Sequence, residues 1–421
     1  MNKSISILLV FAVLFANSAF CAATGLAGDS VEVKASALPE YTFPCTDGLY
    51  ATIGGFLRVK DIKVKSERSV NLKVPGFVGE IPVQAVIQPH QAPLAVVILG
   101  LGAKAKADYS KVWPSWLAEA GYHVLYFDST VGPSFQKVSH HGVSGNVWIE
   151  SERIRDIIAA FLNLNEMRDK VSAVGITGYS YGAVEALVIG QMAAEGHVPF
   201  QISAIQAFGP PVDLLHTAAI LDTWYREDRW SFKLSELKDM FQNLPTYDLR
   251  PAKISESSMR AAISAVFRIE LADIVMANDA IYKLGMLPKG NEFDDADVKR
   301  EYAETYGFTA FAYEIALPYW EVKIGRTCID RLVGDTNLCK LIGKQPSYSE
   351  IIVADDDPFN TPADFAALKT AASGHRTTIL PHGGHIGYMS DPWTHAKLLT
   401  LFSSEPATTS KVSGDVTRLL P

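Results

Sequence analysis

Cysteine is scarce in this chain, with four residues in 421. None of the four has the spacing of a zinc site. No acidic run has the oxygen-ligand spacing of an EF-hand loop, so no metal is expected. Basic stretches are missing as well. The formal charge is −8, and no Lys/Arg run is available to neutralise phosphates, which argues against nucleic acid as a partner. There is no internal repeat. Beyond the first twenty or so residues, no apolar stretch is long enough to cross a bilayer as a helix.

What remains is an ordinary globular composition, 48% hydrophobic and 20% charged, with ample length for a large core. The first residues have the form of a secretory signal. Lys3 supplies the positive end, Ile5 to Ala16 the apolar segment, and Ala19, Cys21, Ala22 and Ala23 the small residues around a cleavage site. A lipid anchor on Cys21 is the alternative, disfavoured by the bulky Phe20 before it; an uncleaved anchor is a third reading. Export, to a periplasm or the outside, implies an oxidising compartment. Cys328 and Cys339 are eleven positions apart around Gly334-Asp335-Thr336-Asn337. They are expected to form a disulfide contributing about 2–3 kcal/mol, with Cys45 left over unless it takes one of them.

Along the chain, the signal (1–23) gives way to an N-terminal extension (24–79). Leu57 to Lys65 and Val70 to Val74 alternate like half-exposed strands. From 80 to 214 the pattern is strand, helix, strand, helix, strand. Its centre is Leu94-Ala95-Val96-Val97-Ile98-Leu99, a continuous apolar run that suits a strand buried on both faces. Residues 129–145 read as a loop. Residues 215–345 are helix-patterned and rich in aromatics, and are read as a lid. Sheet signals return from 346 to 404, at Glu350 to Ala354 and Thr377 to Leu380. The stretch from 405 to 421 reads as a flexible tail. The expected fold is therefore α/β, a doubly wound, mostly parallel sheet with a helical insertion.

The chain is organised around Gly178-Tyr179-Ser180-Tyr181-Gly182. This G-x-S-x-G follows the apolar run Val171 to Thr177 and precedes a helical pattern from Ala183 to Ala194. A sharp strand–turn–helix corner forces the serine into a strained backbone conformation, and small residues are needed two positions either side. The bland reading is a glycine-rich turn with an incidental serine; both flanks speak for the elbow. A serine hydroxyl is a poor nucleophile without a base, and the base needs a carboxylate to orient it. Both partners stand where later strands end. Asp355-Asp356-Asp357-Pro358 follows one strand, with Asp357 the first choice, Asp356 the second and Asp355 the third. Pro381-His382-Gly383-Gly384-His385 follows the next, with His385 the base and His382 its competitor; His140 and His141 form a weaker pair. An oxyanion hole would use the N–H of Tyr181 and one from the loop after Leu99, at Leu101 or Gly102.

Gly100-Leu101-Gly102-Ala103-Lys104-Ala105 also fits a loose dinucleotide pattern, with Asp128 in the place of the ribose acid. A polar stretch separates it from the next helix, and it leaves the serine, acid and histidine unexplained, so no cofactor is expected.

At these residues the chain resembles the α/β-hydrolase superfamily, and more narrowly its YheT-like esterase branch. The elbow at Ser180, Asp356-Asp357-Pro358-Phe359 and Gly383-Gly384-His385-Ile386-Gly387 carry the resemblance, with looser support from Gly307-Phe308 and Pro211-Val212-Asp213-Leu214. It spans about residues 80 to 402. The chain departs from the family at Leu99-Gly100, where His-Gly is usual, at Tyr181, where a smaller aliphatic is common, and in its export. The resemblance implies hydrolysis of small-molecule carboxylic esters through an acyl-enzyme, with apolar acyl or alcohol groups favoured by the aromatic lid. Aminopeptidase or lipase action on the same triad, and a non-catalytic binding module of the same fold, are the alternatives.

Overall fold

The apolar run at Leu94–Leu99 becomes the middle of the sheet. In the computed structural model, which describes residues 38–57, 59, 61–231, 254–288, 295–325 and 334–402, strand β3 (Ala92–Ile98) has Leu94, Val96 and Ile98 in the core on one face. Ala95, Val97 and Leu99 lie in the core on the other. Side chains alternate across a strand, so an unbroken apolar run is what burial on both faces demands. The other strands are β1 (Arg68–Leu72), β2 (Ile81–Val86), β4 (His123–Tyr126), β5 (Val171–Tyr179), β6 (Ala204–Phe208), β7 (Ser349–Ala354) and β8 (Thr377–Leu380).

Their order across the sheet is β1-β2-β4-β3-β5-β6-β7-β8. β2 runs antiparallel to both of its neighbours, and every pair from β4 to β8 is parallel. This is the topology of the α/β-hydrolase fold, as expected. The chain steps from β3 outward to β4 and returns to β5 on the other side of β3. Strand order reverses there, and in open α/β sheets the crevice at such a point is where ligands bind.

Helices cover both faces: α1 (Gly48–Leu57), α2 (Asp108–Glu119), α3 (Pro133–Ser139), α4 (Val147–Leu162) and α5 (Tyr181–Ala194). Twelve consecutive residues of α5, Tyr181 to Met192, are buried. A helix apolar on nearly all sides is one enclosed on all sides. Between β6 and β7 the described residues form helices joined by turns and loops, with no strand apart from an isolated bridge between Asp213 and Asn337. They form α6 (Leu214–Asp228), the 27-residue α7 (Glu256–Tyr282), α8 (Ala296–Ala303), α9 (Phe308–Ala310), a π-helical segment (Phe311–Ala316), α10 (Leu317–Ile324) and α11 (Leu338–Ile342). Helices α12 (Pro362–Ala371) and α13 (Pro392–Leu399) flank β8.

Two local expectations fail. The described residues between 57 and 65 form no strand, and the chain before them is the helix α1. Alternation is only half of a strand; the other half is a neighbouring edge to bond, and β1 takes the edge beside β2. The segment 129–145 is not all loop, because α3 lies within it with Pro133 at its start. The expected signal and tail lie outside the described residues. So does Cys328, and with it the expected bridge; Cys339 is half-buried and is bridged to no described residue. No helix among the described residues is long and apolar enough to cross a membrane.

Candidate active site

Ser180 sits at the corner between β5 and α5 with φ 56° and ψ −124°, a conformation that L-residues rarely adopt. The flanking glycines are forced by space. A Cβ on Gly178 would lie 2.3 Å from the carbonyl oxygen of Gly182, and one on Gly182 would lie 2.5 Å from the carbonyl oxygens of both Ile98 and Leu99. The Ser180 N–H donates to the carbonyl of Phe208 at 2.9 Å, which fastens the corner to β6.

His385 comes from the loop after β8, and Asp357 from the loop after β7. His385 Nδ1 lies 2.8 Å from Asp357 Oδ2, and His385 Nε2 lies 2.8 Å from Ser180 Oγ. A carboxylate can only accept, so Nδ1 carries the proton and Nε2 is left to accept from the serine hydroxyl. His385 and Asp357 are 1% and 2% exposed. The structure thus brings together the three residues named first. Asp357 Oδ1 also accepts the N–H of Phe359 at 2.9 Å, and the Phe359 ring packs on the imidazole with centroids 4.4 Å apart.

The neighbouring candidates have other work. Asp356 Oδ1 accepts the N–H of Gly384 at 2.8 Å and so shapes the histidine loop. Burial pushes the Asp356 carboxyl above its usual range, against the lowering by the N–H groups of Gly384 and Gly383. Asp355 faces outward and pairs with Lys369 at 2.8 Å. His382 Nε2 bonds the carbonyl of Phe43 at 2.6 Å. His140 caps α3 in a left-handed conformation, and His141 is bonded to Ser139 at 2.7 Å. Asp128 accepts the N–H of Ala105 at 2.8 Å, tying the loop after β3 to the end of β4.

A cavity of about 150 Å³ opens beside Ser180. Leu101 and Tyr181, the two expected oxyanion residues, both line it. Its far walls come from α6 (Leu215, Ala218, Leu221), α7 (Phe267, Leu271, Ile274) and the helical segment Phe308–Leu317. Among the described residues no charged side chain lines it; the polar ones are hydroxyl-bearing, namely Ser144, Thr217, Thr336, Tyr181 and Ser180 itself.

Nothing in the sequence before residue 80 points to chemistry, yet Thr52 on α1 holds the backbone of His385. Its Oγ1 accepts the His385 N–H at 2.9 Å and donates to the carbonyl of Gly48 at 2.6 Å. No local pattern marks this threonine.

No family model matches the chain, and no curated protein does. Among solved structures, the chain is similar to an esterase of Pyrococcus furiosus at 11% identity and a TM-score of 0.46, covering 82% of this chain and 94% of that one. An esterase of Pyrobaculum calidifontis is similar at 12% and 0.42, covering 85% and 89%. The protein Est1E of Butyrivibrio proteoclasticus is similar at 12% and 0.40, covering 80% and 99%. None of these singles out the YheT-like branch. At such identities and scores the fold rests on the strand order and the elbow: this is an α/β-hydrolase fold with serine, histidine and aspartate converging at the C-terminal ends of its strands.

Proposed function

We propose that this protein is an exported serine hydrolase that cleaves carboxylic esters with apolar acyl groups. One observation carries the reading: the unbroken chain from Ser180 Oγ through His385 to Asp357, with both links at 2.8 Å, at the mouth of a cavity whose described lining is uncharged. Ser180 Oγ attacks the ester carbonyl while His385 Nε2 takes its proton. Asp357 holds the imidazole and stabilises the imidazolium. The N–H groups of Tyr181 and Leu101 receive the developing oxyanion, each worth roughly 10²–10³ in rate. The imidazolium then protonates the leaving alcohol. In the second half, water attacks the acyl-enzyme with His385 again as base, and the acid and free Ser180 are released.

The helices between β6 and β7 act as a lid whose inner face is the acyl pocket. An aminopeptidase would need a carboxylate to hold the substrate's ammonium, and none of the described residues that line the cavity carries one. That favours esters over peptides, and leaves lipase action on longer chains as the alternative within the same mechanism. Residues 1–23 act as the export signal.

The test is to treat the mature protein with a fluorophosphonate and map the adduct. A stoichiometric adduct on Ser180, lost in His385→Ala, is expected, along with hydrolysis of p-nitrophenyl acyl esters that is lost in Ser180→Ala. Full esterase activity in Ser180→Ala would overturn the mechanism. A folded protein that neither labels nor hydrolyses esters would point to a binding module.

A further inference from the structure

Tyr181 follows the nucleophile, and its side chain does something that the proposed reaction does not require. Its hydroxyl donates to Glu150 Oε2 on α4, in a fully buried contact. Burial, with the charges of Glu150 and Glu185 adding to it, pushes the phenol well above its usual pKa, so it remains a donor. Glu150 is itself 0% exposed. Its other oxygen accepts the N–H of Gly145 at 2.7 Å.

From Gly145 the bonding continues to the helix that roofs the cavity. The Ser144 N–H donates to Asn278 Oδ1 on α7 at 3.0 Å, and Asn278 Nδ2 donates back to Ser144 Oγ at 3.1 Å. Gln136 Nε2 donates to the same hydroxyl at 2.8 Å. The Tyr282 hydroxyl, one turn further along α7, donates to Gln136 Oε1 and accepts the N–H of Gly142, each at 3.0 Å. Burying a carboxylate this deeply is costly unless all its lone pairs are used. An apolar residue at 181 would leave Glu150 Oε2 buried without this donor.

We propose that Tyr181 and Glu150 are positioning residues: the phenol–carboxylate contact holds the first turn of α5 so that the Tyr181 N–H faces the oxyanion, and it links that donor to helix α7 above the acyl pocket. This rests on the serine-hydrolase reading of Ser180. Swinging Tyr181 by a fraction of an ångström would misdirect a donor whose value depends on prior orientation.

The experiment compares wild type, Tyr181→Phe, Glu150→Gln and the double variant, in kcat and KM for a p-nitrophenyl ester and in affinity for an alkyl boronic acid that forms a tetrahedral serine adduct. Tyr181→Phe keeps the ring. Glu150→Gln keeps the shape and replaces one of two neighbouring buried carboxyl groups, Glu150 and Glu185, by an amide, so it guards against a folding failure in the first variant. Each single variant is expected to lose about tenfold in kcat, with KM within about twofold and boronate affinity falling in step with kcat. The double variant is expected to be no worse than the poorer single, because both break one link. The proposal is overturned if Tyr181→Phe, folded by circular dichroism, keeps its kcat, if kcat falls only with the folded fraction, or if the two losses multiply. A wild type that neither labels at Ser180 nor turns over would sink the hydrolase reading and this proposal together; a wild type that labels, with an unimpaired Tyr181→Phe, would sink this proposal alone.

Discussion

The N–H of His385 donates to the hydroxyl oxygen of Thr52 at 2.9 Å, joining residues 333 positions apart. The contact is buried, and Thr52 is in turn pinned by its bond to the Gly48 carbonyl. Thr52→Val keeps the shape and strips the acceptor, leaving a buried N–H without a partner. A loss of about 1–3 kcal/mol in unfolding free energy is expected, together with a fall in kcat of about tenfold as the histidine loop shifts. Urea unfolding and steady-state kinetics check both, and an unchanged kcat would separate the loop's stability from the chemistry.

The three adjacent aspartates should behave as three different residues. Asp357→Asn turns the imidazole toward the wrong tautomer, and a fall in kcat of about 10³–10⁴ is expected at neutral pH. Asp356→Asn retains a carbonyl oxygen for the Gly384 N–H and should cost less than about tenfold, which is the scale of a mispositioned neighbour. Asp355→Asn removes a solvent-exposed pair with Lys369, worth less than about 1 kcal/mol, and should leave kcat alone. Equal losses at 356 and 357 would contradict the assignment of the acid.

The elbow glycines should tolerate nothing larger. In Gly182→Ala the new methyl meets two backbone carbonyls at 2.5 Å, and backbone cannot rotate aside as a side chain can. A destabilisation of about 3 kcal/mol is expected, read as a lowered Tm, and fluorophosphonate labelling should slow even in the molecules that remain folded.

Helix α7 also presses a carboxylate against the loop after β3. Glu270 packs on Gly102, and burial pushes it up to about 7, opposed by Lys104, reinforced by Asp273 and opposed again by Arg300. A raised carboxyl means that the folded protein holds a proton which the unfolded chain releases. The stability this confers is full below the ordinary carboxyl value of 4.5 and is lost as pH rises through about 7. Glu270→Gln should therefore match wild type near pH 4 and exceed it by about 1 kcal/mol at pH 8, a figure discounted for partial exposure. Parallel denaturation curves at the two pH values would show whether the difference opens as pH rises.

The uncharged cavity predicts its own selectivity. Ala218 on α6 lines it, and Ala218→Trp should fill much of the room there. Hydrolysis of octanoyl esters should fall at least about tenfold relative to acetyl esters, since each buried methylene is worth on the order of 1 kcal/mol. An unchanged ratio would place the acyl group elsewhere.

Much of this molecule is local in origin, and that part was legible in the sequence. A strand buried on both faces must be apolar at every position, so Leu94–Leu99 announced the centre of the sheet. An elbow with no room for a Cβ must be flanked by glycine, so Gly178 and Gly182 announced the nucleophile. His385 follows from its place after the last strand. Other features were settled by contacts that no local pattern records. Three successive aspartates are chemically alike, and only the turn after β7, closed by the Phe359 N–H on Asp357 Oδ1, decides which of them reaches the imidazole. The alternation at Leu57–Lys65 imitates a strand, but the sheet edge was already taken. Helix α1 is poor in periodicity and rich in glycine; a Cβ on Gly55 would lie 2.6 Å from the Gly387 Cα, so its composition answers to a close approach more than 300 residues away in the chain. Thr52 on the His385 backbone N–H, and Glu150 on the Tyr181 hydroxyl, have the same cause: a buried hydrogen bond requires only that two groups meet in space, and where they meet is set by the packing of the whole sheet.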